Sequence, residues 1–255
     1  MPTRRTVIMS VQQYDVELKN DSVTWTQILD VAQRVGVAGI EFREVYWRDK
    51  TAEIPAIRAE LAKRGLIATY ATFETLFGDN ASKRVREAID DAAALGSRLL
   101  RVFAGPAASD DDRPAWDDVA SVIDYAAGHG VVVALENFAR TPGNRVADVQ
   151  GVLGHISGSN LGTNLDIGNY AANDQDVLNA IRSLGPRIVS SHLKDVLDTP
   201  GGSTTTALGE GRLPIAAIMT EFDRLPQPII HCFEFAGGGE SEARVQRSLA
   251  MLAAL

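Results

Sequence analysis

The feature that most constrains the fold is an alternation. Eight times along the chain, a short run rich in Val, Ile and Leu is followed by a segment with helical apolar spacing. Strands are expected at residues 6–14, 39–44, 66–72, 98–104, 131–138, 162–167, 188–194 and 229–235. Helices are expected at 25–35, 52–64, 82–95, 114–127, 146–156, 176–184, 214–224 and 242–254. Thr24 reads as an N-cap. Gly36, Gly65, Gly96 and Gly128 punctuate the ends of the first four helices. Repeated βα units imply a parallel sheet, and eight of them imply closure into an α/β, (β/α)8 TIM barrel. A doubly wound open sheet is the alternative, but no Gly-rich phosphate turn follows the first strand. At 255 residues, 45% of them hydrophobic, the chain suffices for one large core, so residues 1–255 are expected to form a single domain. The longest irregular stretches, 73–80, 105–112, 138–144 and 196–212, all follow a strand. They therefore belong to the C-terminal rim, where barrel enzymes carry substrate loops.

The last four strand patterns each end on a residue that can hold a metal: Glu136, Asp166, His192 and Glu234. Side chains alternate along a strand, so the parity of each run can be read. If these four point inward, Ala134, Asn164, Ser190 and Cys232 lie beneath them, a layer small or polar enough to leave room for an ion. Leu135, Leu165, Leu193, Phe233 and Phe235 then point outward to the helices. Three carboxylates and one imidazole form a hard donor set suited to one divalent cation, Mn²⁺ foremost, with Mg²⁺ or Co²⁺ acceptable, and unlike a closed Cys/His zinc site.

Charge excludes other classes. The net charge of −8 makes nucleic acid a poor partner. No apolar run reaches the roughly 18 residues of a membrane span. The N-terminal stretch with Arg4 and Arg5 has no signal-peptide pattern, and the lone Cys232 excludes an internal disulfide, so a cytoplasmic location is expected. No nucleotide cofactor is indicated.

LEN at 135–137, LDIGN at 165–169, SHLKD at 191–195, LGEGRLP at 208–214, FEF at 233–235 and RVFAG at 101–105 together resemble the xylose isomerase-like TIM barrels, the sugar phosphate isomerase/epimerase superfamily. The resemblance spans nearly the whole chain. It implies a single metal held by Glu136, Asp166, His192 and Glu234, with Glu136 and Glu234 also serving as the acid/base pair on a small keto sugar or hydroxy-aldehyde that reacts through an enediolate. An inosose-type dehydratase, or a barrel that only binds a sugar or polyol, are the alternatives. A homodimer or homotetramer is common in proteins of this kind. The sequence departs from the epimerase pattern twice, with Asn169 where His is usual and Asp198 where Arg is usual. The endonuclease branch, which uses several further histidines, fits poorly a chain with four.

Lys194 is inward by parity, either toward substrate or paired with a rim acid such as Glu210. Tyr14, Glu44, Tyr46, Trp47 and Phe73 lie at early strand ends and are candidate pocket walls; Asn169, Lys194, Tyr14, Glu44 and Phe73 are the candidate substrate contacts. Glu41, Arg43 and Arg101 are inward charges, expected to pair beneath the site because a buried charge needs a partner. His231 has the opposite parity to Glu234 and is expected to face the helices. Gly237, Gly238 and Gly239 read as a flexible turn or a phosphate cradle. Trp25 and Trp116 fall on helices.

Overall fold

A computed structural model of the chain describes residues 5–138, 141–156, 158 and 160–255. Ala139 and Arg140, within the expected loop at 138–144, and Arg4 lie outside the described residues. The strands are β1 (Thr6–Ser10), β2 (Gly39–Arg43), β3 (Ile67–Thr75), β4 (Leu99–Phe103), β5 (Val132–Glu136), β6 (Leu161–Asp166), β7 (Ile188–Leu193), β8 (Asp195–Thr199), β9 (Gly202–Thr206) and β10 (Ile230–Phe233). Eight of them close a parallel barrel in the order β1-β10-β7-β6-β5-β4-β3-β2, while β8 and β9 form a separate antiparallel hairpin. The fold is a single-domain (β/α)8 TIM barrel.

The helices are α1 (Asp15–Lys19), α2 (Trp25–Val35), α3 (Lys50–Arg64), α4 (Ala81–Leu95), α5 (Arg113–Gly128), α6 (Val146–His155), α7 (Ile167–Ala172), α8 (Val177–Leu184), α9 (Ile215–Asp223) and α10 (Ser241–Ala253). Their ends follow local chemistry. Thr24 and Gln27 form a capping box at the start of α2, and left-handed glycines, which carry no Cβ penalty, stop α2, α3 and α4. The outward residues Leu135, Leu165, Leu193, Phe233 and Phe235 join the apolar core between strands and helices. Ala134 and Cys232 are buried but lie outside that core, on the barrel's inner side. The two helical tryptophans sit on aromatic neighbours: Trp25 on Phe42 and Trp47, Trp116 on Phe77 and His155. No helix of the described residues is long and apolar enough to cross a membrane.

Three expectations change. The first strand stops at Ser10 rather than Tyr14, because the Ser10 hydroxyl accepts from Gln12 N (3.3 Å) and starts a 3-10 turn. The sixth strand gives way at Ile167 to α7, capped by Asp166 itself. The stretch 196–212 is not irregular throughout but opens with the β8–β9 hairpin.

Candidate metal centre

The barrel brings Glu136, Asp166, His192 and Glu234 together, each buried, with one donor atom from each lying within 4.8 Å of all the others. Glu136 and Asp166 are the last residues of β5 and β6, and His192 is the next-to-last of β7. Glu234 follows β10, with its N–H donating to Leu193 O (3.1 Å). Asp166 stands level with His192, and His192 with Cys232. Beneath them Ser190 Oγ donates to Asn164 Oδ1 (2.7 Å), so the small polar layer is hydrogen-bonded within itself.

Local sequence positions these four residues. Asn137, the last residue of LEN, donates from Nδ2 to Asp166 O (3.0 Å) and accepts from Asp166 N (2.9 Å), locking one ligand's backbone to the strand end of another. Asp166 Oδ1 accepts from Asn169 N (2.9 Å) as the cap of α7. The other oxygen, Oδ2, is left facing His192 Nδ1 at 3.6 Å. Asn169 Nδ2 in turn donates to Glu136 Oε1 (3.2 Å).

Cations crowd the acids. Arg101 Nε lies 2.8 Å from Glu136 Oε2, and Arg43 is ion-paired with Glu234. Lys194 Nζ is 2.6 Å from Asp166 Oδ2 and 2.5 Å from Glu234 Oε2. The contacts to Glu136 Oε2 and Asp166 Oδ2 are charge contacts without an aligned hydrogen bond. Glu136 Oε2, Asp166 Oδ2 and His192 Nδ1 are therefore three buried atoms with no hydrogen-bond partner, all facing one small space. Buried polar atoms are nearly always satisfied. Three acceptor-type atoms left open together fit a bound cation, which would take the lone pair of each.

The electrostatics of the ion-free centre favour charge on groups of both signs. Burial opposes charge on His192, but the carboxylates of Glu41 and Glu136 outweigh it and push the ring up to about 10. Burial likewise opposes the charge of Glu41, yet His192 and Arg43 hold it down at about 2. Glu136 lies well below the usual carboxylate range; burial works the other way and is overcome by Arg101 and His192. Neighbouring positive charge therefore keeps Glu41 and Glu136 ionised despite their burial.

Other expected site residues divide. Phe73 lines a cleft of about 820 Å³ together with Arg43, Tyr46, Gln12, Gln13 and Gly237–Gly239, and the Arg43 in its wall is the one ion-paired with Glu234. Tyr14 lines a neighbouring cleft instead, with Ser241 and Glu242, and packs into the apolar core. Glu44 is engaged by Lys50 (2.7 Å) and by Thr72, and does not line the mouth cleft. Lys194 does not pair with Glu210, which binds Thr206 and Arg247; parity drives Lys194 inward to the ligands. The network expected of Glu41, Arg43 and Arg101 runs through the ligands rather than beneath them: Glu41 meets Arg43 (3.6 Å) and His192, whereas Arg101 meets Glu136. His231 faces outward, bonded to Ser191 Oγ (2.7 Å) and packed on Phe222.

Two supporting residues went unrecognised in the sequence. Gly168 admits the stem of Lys194, since a Cβ there would lie 2.5 Å from Lys194 Cγ. Asp195 accepts from the N–H groups of Gly209, Gly211 and Leu213 and so shapes the loop after the hairpin. The glycine of LDIGN and the acid of SHLKD, two and three residues after Asp166 and His192 respectively, were the available signals.

The sequence profile of the xylose isomerase-like TIM barrel matches residues 29–255. The chain belongs to that family. No curated protein sequence matches it significantly. Among solved structures it is similar to a probable 3-DHS dehydratase, AsbF, from Bacillus anthracis, at 17% identity over 97% of this chain and 98% of that one, with a TM-score of 0.80. It is similar to D-allulose 3-epimerase from Methylomonas sp., solved with D-allulose, at 16% identity over 99% and 97% of the two chains and a TM-score of 0.75. It is also similar to the IOLI protein with a bound zinc atom, at 14% identity over 97% and 96% and a TM-score of 0.78. At these identities the likeness establishes the shared barrel.

Proposed function

We propose that this xylose isomerase-like barrel is a divalent-metal-dependent isomerase or epimerase of a small keto sugar or hydroxy-aldehyde. The observation that carries the reading is the convergence of Glu136, Asp166, His192 and Glu234, with open donor atoms from three of them facing one space. These four residues would hold the ion, Mn²⁺ foremost given the carboxylate-rich set. When bound, a divalent cation polarises a carbonyl and acidifies the adjacent C–H. The similar proteins, an epimerase bound to a sugar and a barrel bound to zinc, support the same assignment.

The chain's own residues supply the proton chemistry. Glu136 and Glu234 stand on strands separated by β6 and β7, so substrate lying between them meets one carboxylate on each side. Arg101 contacts Glu136 and favours its charged form, able to accept a proton from carbon, and Arg43 is ion-paired with Glu234. Asn169 fixes the orientation of Glu136 through Oε1. Lys194, buried between Asp166 and Glu234, is a donor to a substrate oxygen that gains negative charge as the enediolate forms. Return of the proton to the same carbon from the other face gives epimerisation, and to the neighbouring carbon isomerisation.

Lys194 also favours a second reading, dehydration. An ammonium 2.5 Å from Glu234 can deliver a proton to a departing hydroxyl, and AsbF is named as a probable dehydratase. Incubating ketoses and hydroxy-aldehydes with Mn²⁺-loaded protein in deuterated water separates the outcomes. Solvent deuterium in recovered substrate and product, without loss of water, supports the isomerase. Glu136→Gln and Glu234→Gln should each abolish exchange. Full activity in either variant would refute the two-glutamate scheme, and a protein that neither binds nor responds to any divalent ion would refute the metal reading.

A further inference from the structure

His192 presents its two ring nitrogens to different neighbours. Nδ1 faces Glu234 Oε1 (3.2 Å), Glu136 Oε2 (3.5 Å) and Asp166 Oδ2 (3.6 Å). Nε2 faces away from them, 2.7 Å from Glu41 Oε2. Glu41 comes from β2, on the other side of β10 and β1 from β7, and both side chains are buried. A carboxylate can only accept, so this contact requires the proton to be on Nε2. Nδ1, which faces the other three donors, is then the nitrogen that gives up its proton and offers a lone pair when the ring is neutral.

We propose that Glu41 is a positioning residue for the metal centre: by accepting from Nε2–H it fixes both the tautomer and the rotation of the His192 ring, so that Nδ1 is the ligating atom. The inference rests on the metal-dependent reading above and assigns to a distant strand a task that none of the four ligands performs. Carboxylates that orient a ligating histidine from behind affect ion affinity without touching the ion. Glu41 is itself held, with Arg43 Nε 3.6 Å from its second oxygen. That guanidinium also argues against a rival role. Glu41, His192 and Cys232 carry donor atoms close enough to suggest a second cation site. A second ion there would have to displace Glu41 from Nε2 and sit beside Arg43.

The test is ion affinity, measured by calorimetry with Mn²⁺ alone on chelator-stripped protein. E41L, which offers no acceptor, should weaken Mn²⁺ binding by roughly 10- to 100-fold. E41Q, whose amide oxygen can still accept from Nε2–H, should recover most of that loss. C232S should leave affinity and the stoichiometry of one ion unchanged. Equal losses in E41L and E41Q would mean that Glu41 contributes only charge. A lowered melting temperature with unchanged affinity would mean that it is only structural. A second ion lost in C232S would establish the rival site. Each of these overturns the proposal while leaving the four-ligand reading intact, whereas wild-type protein that binds no ion overturns both. If E41L does not fold, nitrogen-15 spectra of the wild type with Zn²⁺ decide the matter, since only four histidines must be assigned. The His192 ring should carry its proton on Nε2, and a proton on Nδ1 refutes the proposal.

Discussion

Replacing Asp195 tests whether the loop beside the metal centre is held by one buried carboxylate. Asp195 is fully buried, and its two oxygens accept four backbone N–H groups: Val196 (2.8 Å) and Leu213 (2.9 Å) on Oδ1, Gly209 (3.1 Å) and Gly211 (3.0 Å) on Oδ2. The Val196 bond is to the next residue and constrains little. The other three tie the loop to the start of β8. Hydrogen bonds to an ionised group contribute about 1.5–3 kcal/mol each, so Asp195→Ala should cost at least about 4 kcal/mol. That is a large share of the 5–15 kcal/mol by which a typical domain is stable. Asp195→Asn retains one acceptor oxygen and turns an NH₂ toward two N–H donors, so about half the loss is expected. Urea unfolding provides the assay, with Asp198→Asn as control: that acid is exposed, pairs with Arg212 (3.0 Å), and should change stability by under about 1 kcal/mol. Midpoint shifts at constant slope would report stability itself. If Asp195→Ala unfolds within about 1 kcal/mol of the control, the loop is held by something else and the reasoning fails.

Two other outcomes are expected. Gly168→Ala improves helix propensity in α7, yet its Cβ would lie 2.5 Å from Lys194 Cγ and 2.9 Å from Cε and must push the lysine off Asp166 and Glu234. Solvent exchange should fall about tenfold or more, roughly the loss of one properly placed donor, with one ion still bound; unchanged exchange would remove Lys194 from the mechanism. The raised His192 ring sets a pH dependence. Because its folded value of about 10 exceeds the unfolded one, its contribution to ion-free stability is complete below about pH 6.5 and disappears as pH rises through 10. Ligation requires the neutral ring, so near pH 7.5 each ion should expel about one proton, and affinity should rise with pH. Calorimetry in buffers of different ionisation enthalpy measures that release, and a value near zero would show the ring already neutral.

The barrel and the convergence of Glu136, Asp166, His192 and Glu234 were legible because both are written in local periodicity. Each of the last four strands carries its own acid or histidine and its own alternation, so the parity that turns Leu135 and Leu165 outward turns Glu136 and Asp166 inward without knowledge of any other strand. What was not legible depends on single hydrogen bonds or on distant partners. Strand and 3-10 turn share the run after Thr6, and only the Ser10 hydroxyl separates them. The β8–β9 hairpin is largely exposed, so it lacks the buried face that makes alternation visible. Tyr14 and Glu44 follow their strands as rim residues should, but that position does not say that Tyr14 enters the neighbouring cleft or that Glu44 is taken by Lys50 and Thr72.

The destinations of the inward charges illustrate the same limit and carry a constraint of their own. Glu41, Arg43 and Arg101 could be recognised as buried from strand parity, and burial demands partners. Those partners lie elsewhere in the chain: Arg101 on Glu136, Arg43 on Glu234, Glu41 on His192. In sequence they join the first half, which supplies Glu41, Arg43 and Arg101, to the second, which supplies His192, Glu234 and Glu136. In space two of the three pairs, Arg43–Glu234 and Glu41–His192, bridge the seam where β1 closes the barrel between β2 and β10. Closing that seam and assembling the ligands are therefore one event. An unclosed barrel would leave Glu234 without Arg43 and His192 without Glu41, so the centre cannot be preformed by the last four strands alone, although all four ligands reside there.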